Sequence, residues 1–290
     1  MELLVTLRER ENIEKTIALC DGFIVGSLFT SGYNLTKEDL VYINNYCKDC
    51  RKKVYVVIDN FISEDDKSSV LDYLYFIQKL NVDGIYFHDL GLYEMAKVYE
   101  LENKLIYDGQ TVLCNSLDVT YYMSKGLSGV VLSRELTYKE LFDIVRNNPN
   151  CCDVQVFGHT RLSYSKRKFI TNYYKEMNMN YDFSNNNNLY LVEEQRDYKL
   201  PIVEDEYGTK IYSDYVLQMY KELPQLKNFI NRAIVDTLFI DKKIVVAVLR
   251  DYKYIDVNNA DLLLDKLVND YYENYSTGFL YQKTNITKDE

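Results

Sequence analysis

Short runs of β-branched and aromatic residues recur along the chain and alternate with longer segments whose apolar residues are three or four positions apart. The runs predict eight strands: Leu3–Leu7, Gly22–Gly26, Val54–Asp59, Gly84–Asp89, Lys104–Gly109, Gly129–Ser133, Asp153–His159 and Thr237–Asp241. They are apolar almost throughout and are bounded by Gly or Asp. This pattern is typical of parallel strands that are covered on both faces.

The segments between the strands carry helix start signals. Thr36, Ser63 and Thr137 are each followed three positions later by an acid, the pattern that satisfies two backbone donors at a helix N-terminus. After Ser63, apolar residues recur at helical spacing over 70–77 and give one apolar face. We therefore expect a helix in each of these connections.

Eight strands that alternate with helices predict an α/β fold of the (β/α)8, TIM-barrel-like class. An open doubly wound sheet is the alternative, but no Gly-rich phosphate loop follows the first strand. The alternation stops once, where residues from about 162 to 211 form a long insertion between the seventh and eighth strands. It contains two hairpin-like pieces, Leu189–Gln195 and Leu200–Tyr212, the second with its turn at Tyr207–Thr209. We expect residues 1–290 to form a single domain of this class.

Composition narrows the class of protein. The net charge of −10 argues against a surface broadly suited to nucleic acid, and it leaves room for one local basic patch. No apolar run approaches the roughly 20 residues of a membrane helix, and charges interrupt the N-terminus too early for a signal peptide. We expect a cytoplasmic protein with no membrane partner and with reduced cysteines. Cys47 and Cys50 form a lone CxxC pair, interpreted as helix-end thiols with zinc or redox chemistry as the alternative.

Polar residues follow the predicted strands, and function in such barrels collects at the C-terminal ends of the strands. These residues are Arg8, Glu9, Ser27, Asp59, Asn60, His88, Asp89, Asp108, Gln110, Arg134, Glu135, Gly158, His159 and Asp241. Each of them can instead cap a helix or a turn. Arg134 and Glu135 leave a strand together, and the arginine could bind a carboxylate or phosphate in bidentate geometry. The alternative is a local ion pair that shapes the rim.

Positive charge is concentrated directly after the seventh strand. Between Asp153 and Glu176 the sequence has five cations and no acid, against the overall charge of the chain. These cations can hold an anion, a tyrosine among them can stack on a base, and a histidine can titrate near neutrality. A solvated edge is the alternative. The predicted substrate-binding residues are Arg134, Glu135, His159, Arg161, Tyr164, Ser165, Arg167, Lys168, Asp89 and Gln110.

Common catalytic signatures are missing from the sequence. It has two histidines, no HExxH motif, no Walker loop and no kinase signature, so we predict no metal site. Ser165 lacks the GxSxG context of a nucleophile elbow, and no other nucleophile is recognisable. Whether the chain is an enzyme stays open.

Five segments together resemble the peptidase U32 family, the collagenase-like proteins. They are Asp83–Lys97, Asp108–Leu136, Val156–Phe169, Leu200–Ser213 and Ser276–Thr284. The stretches "LSREL" and "LSYSKRKF" are the most specific of these segments. The resemblance spans most of the chain and implies a short member of the family.

The resemblance implies more than one activity. Members carry protease or collagenase labels, whereas other relatives support hydroxylation of tRNA or ribosomal RNA bases or of ubiquinone precursors. Those relatives hold an iron–sulfur cluster through four cysteines, one of them at the position of Lys168 here. No cysteine follows Cys152, so the resemblance implies a member without a cofactor.

Two functions therefore stay open. One is a collagenase-like peptidase that binds an anionic or extended substrate, peptide or RNA, at the barrel mouth by an unknown mechanism. The other is a non-catalytic RNA-binding or scaffold subunit of a tRNA or rRNA base-hydroxylation assembly, with a paralogous subunit as its candidate partner.

Overall fold

Eight parallel strands close into a barrel in the computed structural model of the chain, which describes residues 1–179, 188–192, 194 and 198–282. The strands are β1 (Glu2–Thr6), β2 (Gly22–Val25), β3 (Lys53–Ile58), β4 (Gly84–Phe87), β5 (Leu105–Asp108), β6 (Gly129–Val131), β7 (Cys152–Ser165), β8 (Tyr190–Val192), β9 (Lys199–Asp205), β10 (Gly208–Gln218), β11 (Arg232–Val235) and β12 (Tyr275–Ser276). β1 to β7 pair in chain order, and β11 pairs with both β7 and β1, which closes the ring. The predicted (β/α)8 class is confirmed, because a doubly wound sheet would have two open edges.

Helices surround the barrel in the connections. They are α1 (Ile13–Thr16), α2 (Lys37–Asp49), α3 (Lys67–Leu80), α4 (Leu90–Lys97), α5 (Ser116–Ser124), α6 (Tyr138–Asn147), α7 (Phe169–Glu176), α8 (Leu223–Leu226), α9 (Lys242–Tyr254) and α10 (Ala260–Asp270). The three predicted capping boxes all form, at Thr36, Ser63 and Thr137. Ser63 begins a single 3₁₀ turn that continues directly into α3.

Two layers of core hold the barrel. One large cluster packs the strands against the helices, and a small cluster of inward-facing side chains such as Leu4, Tyr55 and Tyr86 fills the interior. Toward the N-terminal end of β11, Arg232 Nη1 lies 3.1 and 3.0 Å from the carboxylate oxygens of Asp153, and the Tyr86 hydroxyl donates to the same carboxylate. The barrel interior is therefore packed and ion-paired at this end, and the cavity described below lies at the opposite end.

The prediction of the eighth strand at Thr237–Asp241 is wrong. The barrel strand is β11, and residues 237–241 form the turn that leads into α9. The first residue of β11, Arg232, is charged yet buried, because Asp153 on the adjacent strand β7 neutralises it. A search for apolar runs misses this strand, because the strand begins with a charged residue whose partner in the buried ion pair is distant in the sequence.

The connection between β7 and β11 folds back over the barrel mouth. β7 continues past the barrel to Ser165, and β10 pairs antiparallel with it and continues past residue 211 to Gln218. β9 pairs with β10, and β8 pairs with β9, so the two predicted hairpin pieces are strands of one antiparallel sheet. Residues 180–187, 193 and 195–197 of this predicted insertion lie outside the described residues.

The β9–β10 turn falls one position earlier than predicted, at Glu206–Tyr207, and Gly208 already pairs with Asp205. Gly208 has φ +128°, and a Cβ there would lie 2.1 Å from the carbonyl oxygen of Ser165. Glycine is therefore required for β10 to approach β7.

No helix in the described part of the chain is long and apolar enough to cross a membrane.

Candidate functional site at the barrel mouth

A cavity of about 80 Å³ lies at the C-terminal ends of the barrel strands, and we call it the mouth cavity. Its polar lining comes from the barrel strands or the loops that follow them, together with β10, and includes Arg8, Asp59, Asp108, Gln110, Arg134, Gln155, His159, Arg161, Tyr212 and Asp236. Arg8 and Asp236, the two of these residues that are farthest apart in the sequence, are separated by 228 positions, and the closed barrel brings them together.

Three arginine–aspartate pairs line this cavity. They are Arg8–Asp236 at 2.7 Å, Arg134–Asp108 at 2.9 Å and Arg161–Asp59 at 2.6 Å. The guanidinium of Arg134 reaches both oxygens of its carboxylate partner. Each pair joins two different strands, so the pairs fix the strand ends relative to one another.

Lys210, on β10, makes the cluster positive. Its Nζ lies 3.3 Å from each carboxylate oxygen of Asp59, beside Arg161. Burial lowers the pKa of Lys210 to about 8, although Asp59 opposes the shift. Burial also works against ionisation of Asp59, but Lys210 and Arg161 hold the pKa of this carboxyl well below its ordinary value. The mouth cluster, defined as these four cations with Asp59, Asp108 and Asp236, thus places four cations against three carboxylates.

Two donors of this cluster have no partner. The Nη2 of Arg161 and the Nε of Arg8 are buried and make no hydrogen bond among the described residues. Arg161 is the more enclosed of the two, with a side chain only 9% exposed. A buried guanidinium nitrogen without an acceptor costs free energy. An acceptor oxygen of a bound anion would remove that cost.

Gln110 links two of the arginines. Its Oε1 accepts from Arg134 Nη1 at 3.1 Å and from Arg161 Nε at 3.2 Å. Gln110 has φ +61°, a conformation uncommon for a residue with a side chain. The amide therefore sets the spacing of the two guanidinium groups.

His159 lines the mouth cavity as predicted. Its Nδ1 lies 2.8 Å from the carbonyl oxygen of Ser213, and in the neutral ring this contact leaves the proton on Nδ1 and a lone pair on Nε2. Gly158, directly before it, has φ +109°, and a Cβ there would lie 2.3 Å from the carbonyl oxygen of Asp236. Glycine is therefore required at position 158 for this close approach of the backbone.

Several predicted site residues lie outside the mouth cavity. Arg167 and Lys168 are exposed beyond the end of β7, and Glu135 is exposed on the outer side of the rim. Ser165 accepts a hydrogen bond from the backbone N–H of Arg167. Asp89 is the N-cap of α4 and accepts from the backbone N–H groups of residues 91 and 62.

Arg134 and Glu135 therefore do not form the local ion pair that the sequence left open. Both residues lie in the turn that follows β6. Arg134 turns inward to Asp108, and Glu135 faces solvent.

Tyr164 is packed rather than free to stack on a base. Its ring stacks on Phe61 at a centroid distance of 5.0 Å, and Lys210 Nζ lies 4.9 Å from the ring centroid. Its hydroxyl donates to the carbonyl of Tyr207 and accepts from the N–H of Phe61. Burial raises the pKa of Tyr164 to about 12. This tyrosine holds the insertion against the β3 loop.

The sequence interpretation missed part of the site. Asp236 was missed because the eighth strand was misplaced, and Asp241, named in its stead, is the N-cap of α9. Lys210 and Tyr212 were missed because they lie on the insertion, whose return over the mouth has no sequence signal. Gln155 faces inward from β7, where alternation along a recognised strand could have identified it.

Comparison with protein families matches residues 27–290 to peptidase family U32. The tRNA hydroxylation protein P2 of Bacillus subtilis is 30% identical over 233 residues, which cover 78% of this chain and 75% of that protein. An uncharacterized protease of Methanocaldococcus jannaschii is 31% identical over 145 residues, 48% of this chain and 35% of its own length.

Among solved structures, the U32 peptidase Mk0906 superposes with a TM-score of 0.50 at 15% identity, covering 81% of this chain and 92% of that one. At this identity the likeness supports the fold alone.

The cysteines do not fit an iron–sulfur cluster, which needs several thiolates close together. All six are unpaired; Cys47 is buried and Cys50 exposed, and burial raises the pKa of Cys47 to about 12. No three His, Cys, Asp or Glu side chains of the described residues are placed to hold a metal ion. Lys168 is exposed at the start of α7.

Proposed function

Because this chain belongs to peptidase family U32, we propose that it binds tRNA as a subunit of an assembly that hydroxylates an RNA base. The observation that carries the proposal is the 30% identity to the tRNA hydroxylation protein P2 over three quarters of both chains. A match of that length includes most of the barrel. The proposal therefore concerns the barrel itself and not an appended segment.

The charge of the mouth supports an anionic ligand. The cluster has one cation more than carboxylates, and Arg161 keeps a buried nitrogen without an acceptor. A phosphate or an enolic or carbonyl oxygen of a base would satisfy that donor.

The exposed cations after β7 support contact with the RNA backbone. Arg167 and Lys168 are exposed to solvent directly after β7, and neither forms a salt bridge with another described residue. Cations of this kind add sequence-independent affinity by releasing counterions from phosphates. In this proposal they position the RNA while the mouth holds one of its groups.

The proposal assigns the hydroxylation chemistry to another subunit, since the cysteines here do not fit a cluster. A paralogue of this chain is the partner we propose. A cytoplasmic location belongs to the same proposal, because tRNA and unpaired thiols are both found there.

Binding of purified protein to tRNA, measured by fluorescence anisotropy from 50 to 300 mM salt, tests the proposal. We expect the logarithm of the binding constant to fall steeply with the logarithm of salt concentration. The variant Arg167→Glu with Lys168→Glu should bind at least ten-fold more weakly. The matched control is Lys139→Glu with Arg146→Glu, which makes the same charge change on the exposed side of α6. Equal loss in both variants, or no binding by the unaltered protein, would overturn the proposal.

Peptide hydrolysis is the second candidate. It is favoured by the identity to the M. jannaschii protease and by the Nε2 lone pair that His159 presents at the mouth. Such a nitrogen can act as a general base. Turnover of gelatin or casein that is lost in His159→Ala would support this function, and absence of turnover by the unaltered protein would remove it.

A further inference from the structure

A second cavity, of about 190 Å³, lies beside the mouth between the loops that follow β1 and β11. We call it the side cavity. Thr6 and Arg8 line both this space and the mouth cavity, so the two cavities adjoin at these residues. A group bound in the mouth cavity would therefore lie next to the side cavity.

Phe239 stands at this junction in a strained conformation. Its φ is +64°, which is a clear outlier for a bulky side chain. The ring lines the side cavity, and its centroid lies 5.8 Å from that of His159 and 5.5 Å from that of Tyr212, both mouth residues. Residues held in such conformations cluster at ligand sites, because the surrounding structure maintains them at a cost.

The side cavity continues outward into an open groove of about 290 Å³ on the face of α9, which we call the outer groove. Lys15, Lys242 and Val246 line both spaces. Lys243 and Arg250 complete a set of four cations in the outer groove, whose lining includes no acid. On a chain with a net charge of −10, this is a local inversion of charge.

Most of these cations are available to a ligand. Lys242 binds Glu9 at 2.7 Å, and Glu11 and Asp241 also lie near it. Lys15, Lys243 and Arg250 are exposed and form no salt bridge within the described residues. Lys243 and Arg250 lie seven residues apart on α9, about 10 Å along the helix axis. That separation lets the two cations contact different phosphates of one strand.

We propose that the side cavity and the outer groove bind the stretch of RNA that adjoins the group held in the mouth. The base would pack against Phe239 and the aliphatic wall of the side cavity, and the following phosphates would lie on Lys15, Lys243 and Arg250. An aromatic pocket joined to a row of cations is the combination that single-stranded nucleic acid requires. This inference rests on the proposed tRNA function and assigns it a second contact surface, distinct from Arg167 and Lys168.

The test is binding of tRNA to Lys15→Glu with Lys243→Glu, with the α6 variant Lys139→Glu with Arg146→Glu as the control of equal charge change. Both groove lysines are exposed, and a glutamate in the first turn of α9 is compatible with the helix dipole. We expect affinity to fall at least ten-fold relative to the control, and the salt dependence to become shallower by about 1.5 logarithmic units per decade for two lost phosphate contacts.

A second variant separates stacking from charge. Phe239→Leu should lower the affinity roughly five- to ten-fold, because base–aromatic stacking is lost, and should leave the slope of the salt dependence unchanged. If tRNA binds the unaltered protein but the groove and Phe239 variants behave like the control, the inference is overturned and the proposed function stands. If tRNA does not bind the unaltered protein, the proposed function itself fails, and this inference fails with it.

Discussion

Arg161 and Asp59 lie 102 residues apart in the sequence, yet Nη1 of the arginine is 2.6 Å from Oδ2 of the aspartate. The contact joins the protruding part of β7 to the end of β3. Lys210, from the insertion, shares the same carboxylate. One aspartate therefore ties the barrel, the extended β7 and the insertion together at the mouth.

Replacing this aspartate should destabilise the protein. In Asp59→Asn, Arg161 and Lys210 would stay buried without a counterion, and we expect a loss of about 3 kcal/mol in the free energy of unfolding. Urea unfolding measures this loss. The control is Glu64→Gln, which removes an exposed ion pair with Lys67 and should leave the midpoint unchanged. Equal effects of the two substitutions would contradict the assigned role of Asp59.

Acid should weaken the fold through the same carboxyls. Burial opposes ionisation of Asp59, Asp108 and Asp236, but their cationic partners keep all three pKa values below the ordinary value. The stability that they contribute is present above about pH 4 and is lost as the pH falls through the folded-state pKa values. Urea unfolding at pH 7, 4 and 3 should show this decline, and Asp59→Asn should show a smaller one. The same decline in both proteins would rule out Asp59 as a source.

A rise in pH through the alkaline range should increase the contribution of Lys210 to the free energy of unfolding. Burial lowers the pKa of Lys210 to about 8, whereas an unfolded lysine titrates near 10.4. Between these values the unfolded chain binds a proton that the folded chain does not, so stability from this group rises with pH. The difference in free energy of unfolding between the unaltered protein and Lys210→Met should therefore grow from pH 7.5 to 9.5. A constant difference would contradict the lowered pKa.

Gly158 should tolerate no side chain. A Cβ there would lie 2.3 Å from the Asp236 carbonyl oxygen, in backbone with φ +109°. We expect Gly158→Ala to cost about 3 kcal/mol. Gly126→Ala is the matched control, because Gly126 also has positive φ but nothing lies within 4 Å of its added Cβ. That variant should lose about 1 kcal/mol from the backbone conformation alone. Thermal and urea unfolding of the pair separate the two effects.

The barrel could be predicted from the sequence because seven of its strands are apolar runs bounded by Gly or Asp. The eighth could not, since Arg232 opens β11 and its charge is compensated by Asp153, 79 residues away, and by Glu2. A search for apolar runs selects residues 237–241 in its place, and it replaces Asp236 with Asp241 as the strand-end acid. Pairing between neighbouring strands is three-dimensional information that the local pattern does not contain.

The mouth was predicted in part for a related reason. Strand ends identified Arg8, Asp59, Asp108, Gln110 and Arg134, because their position follows from topology. In the sequence, the cations that follow the predicted seventh strand form one patch, but the structure divides them. Arg161 turns into the barrel, and Arg167 and Lys168 stay in solvent. Lys210 reaches the site only through the antiparallel return of β10.

The central claim, a role in tRNA hydroxylation that depends on these surfaces, is tested most directly in cells. Hydroxylated nucleosides in tRNA from a strain that lacks the gene would be measured by mass spectrometry, with and without complementation. We predict that they disappear, that the unaltered protein and Lys139→Glu with Arg146→Glu restore them, and that Arg167→Glu with Lys168→Glu does not. Unchanged levels of hydroxylated nucleosides in the strain without the gene would contradict the account.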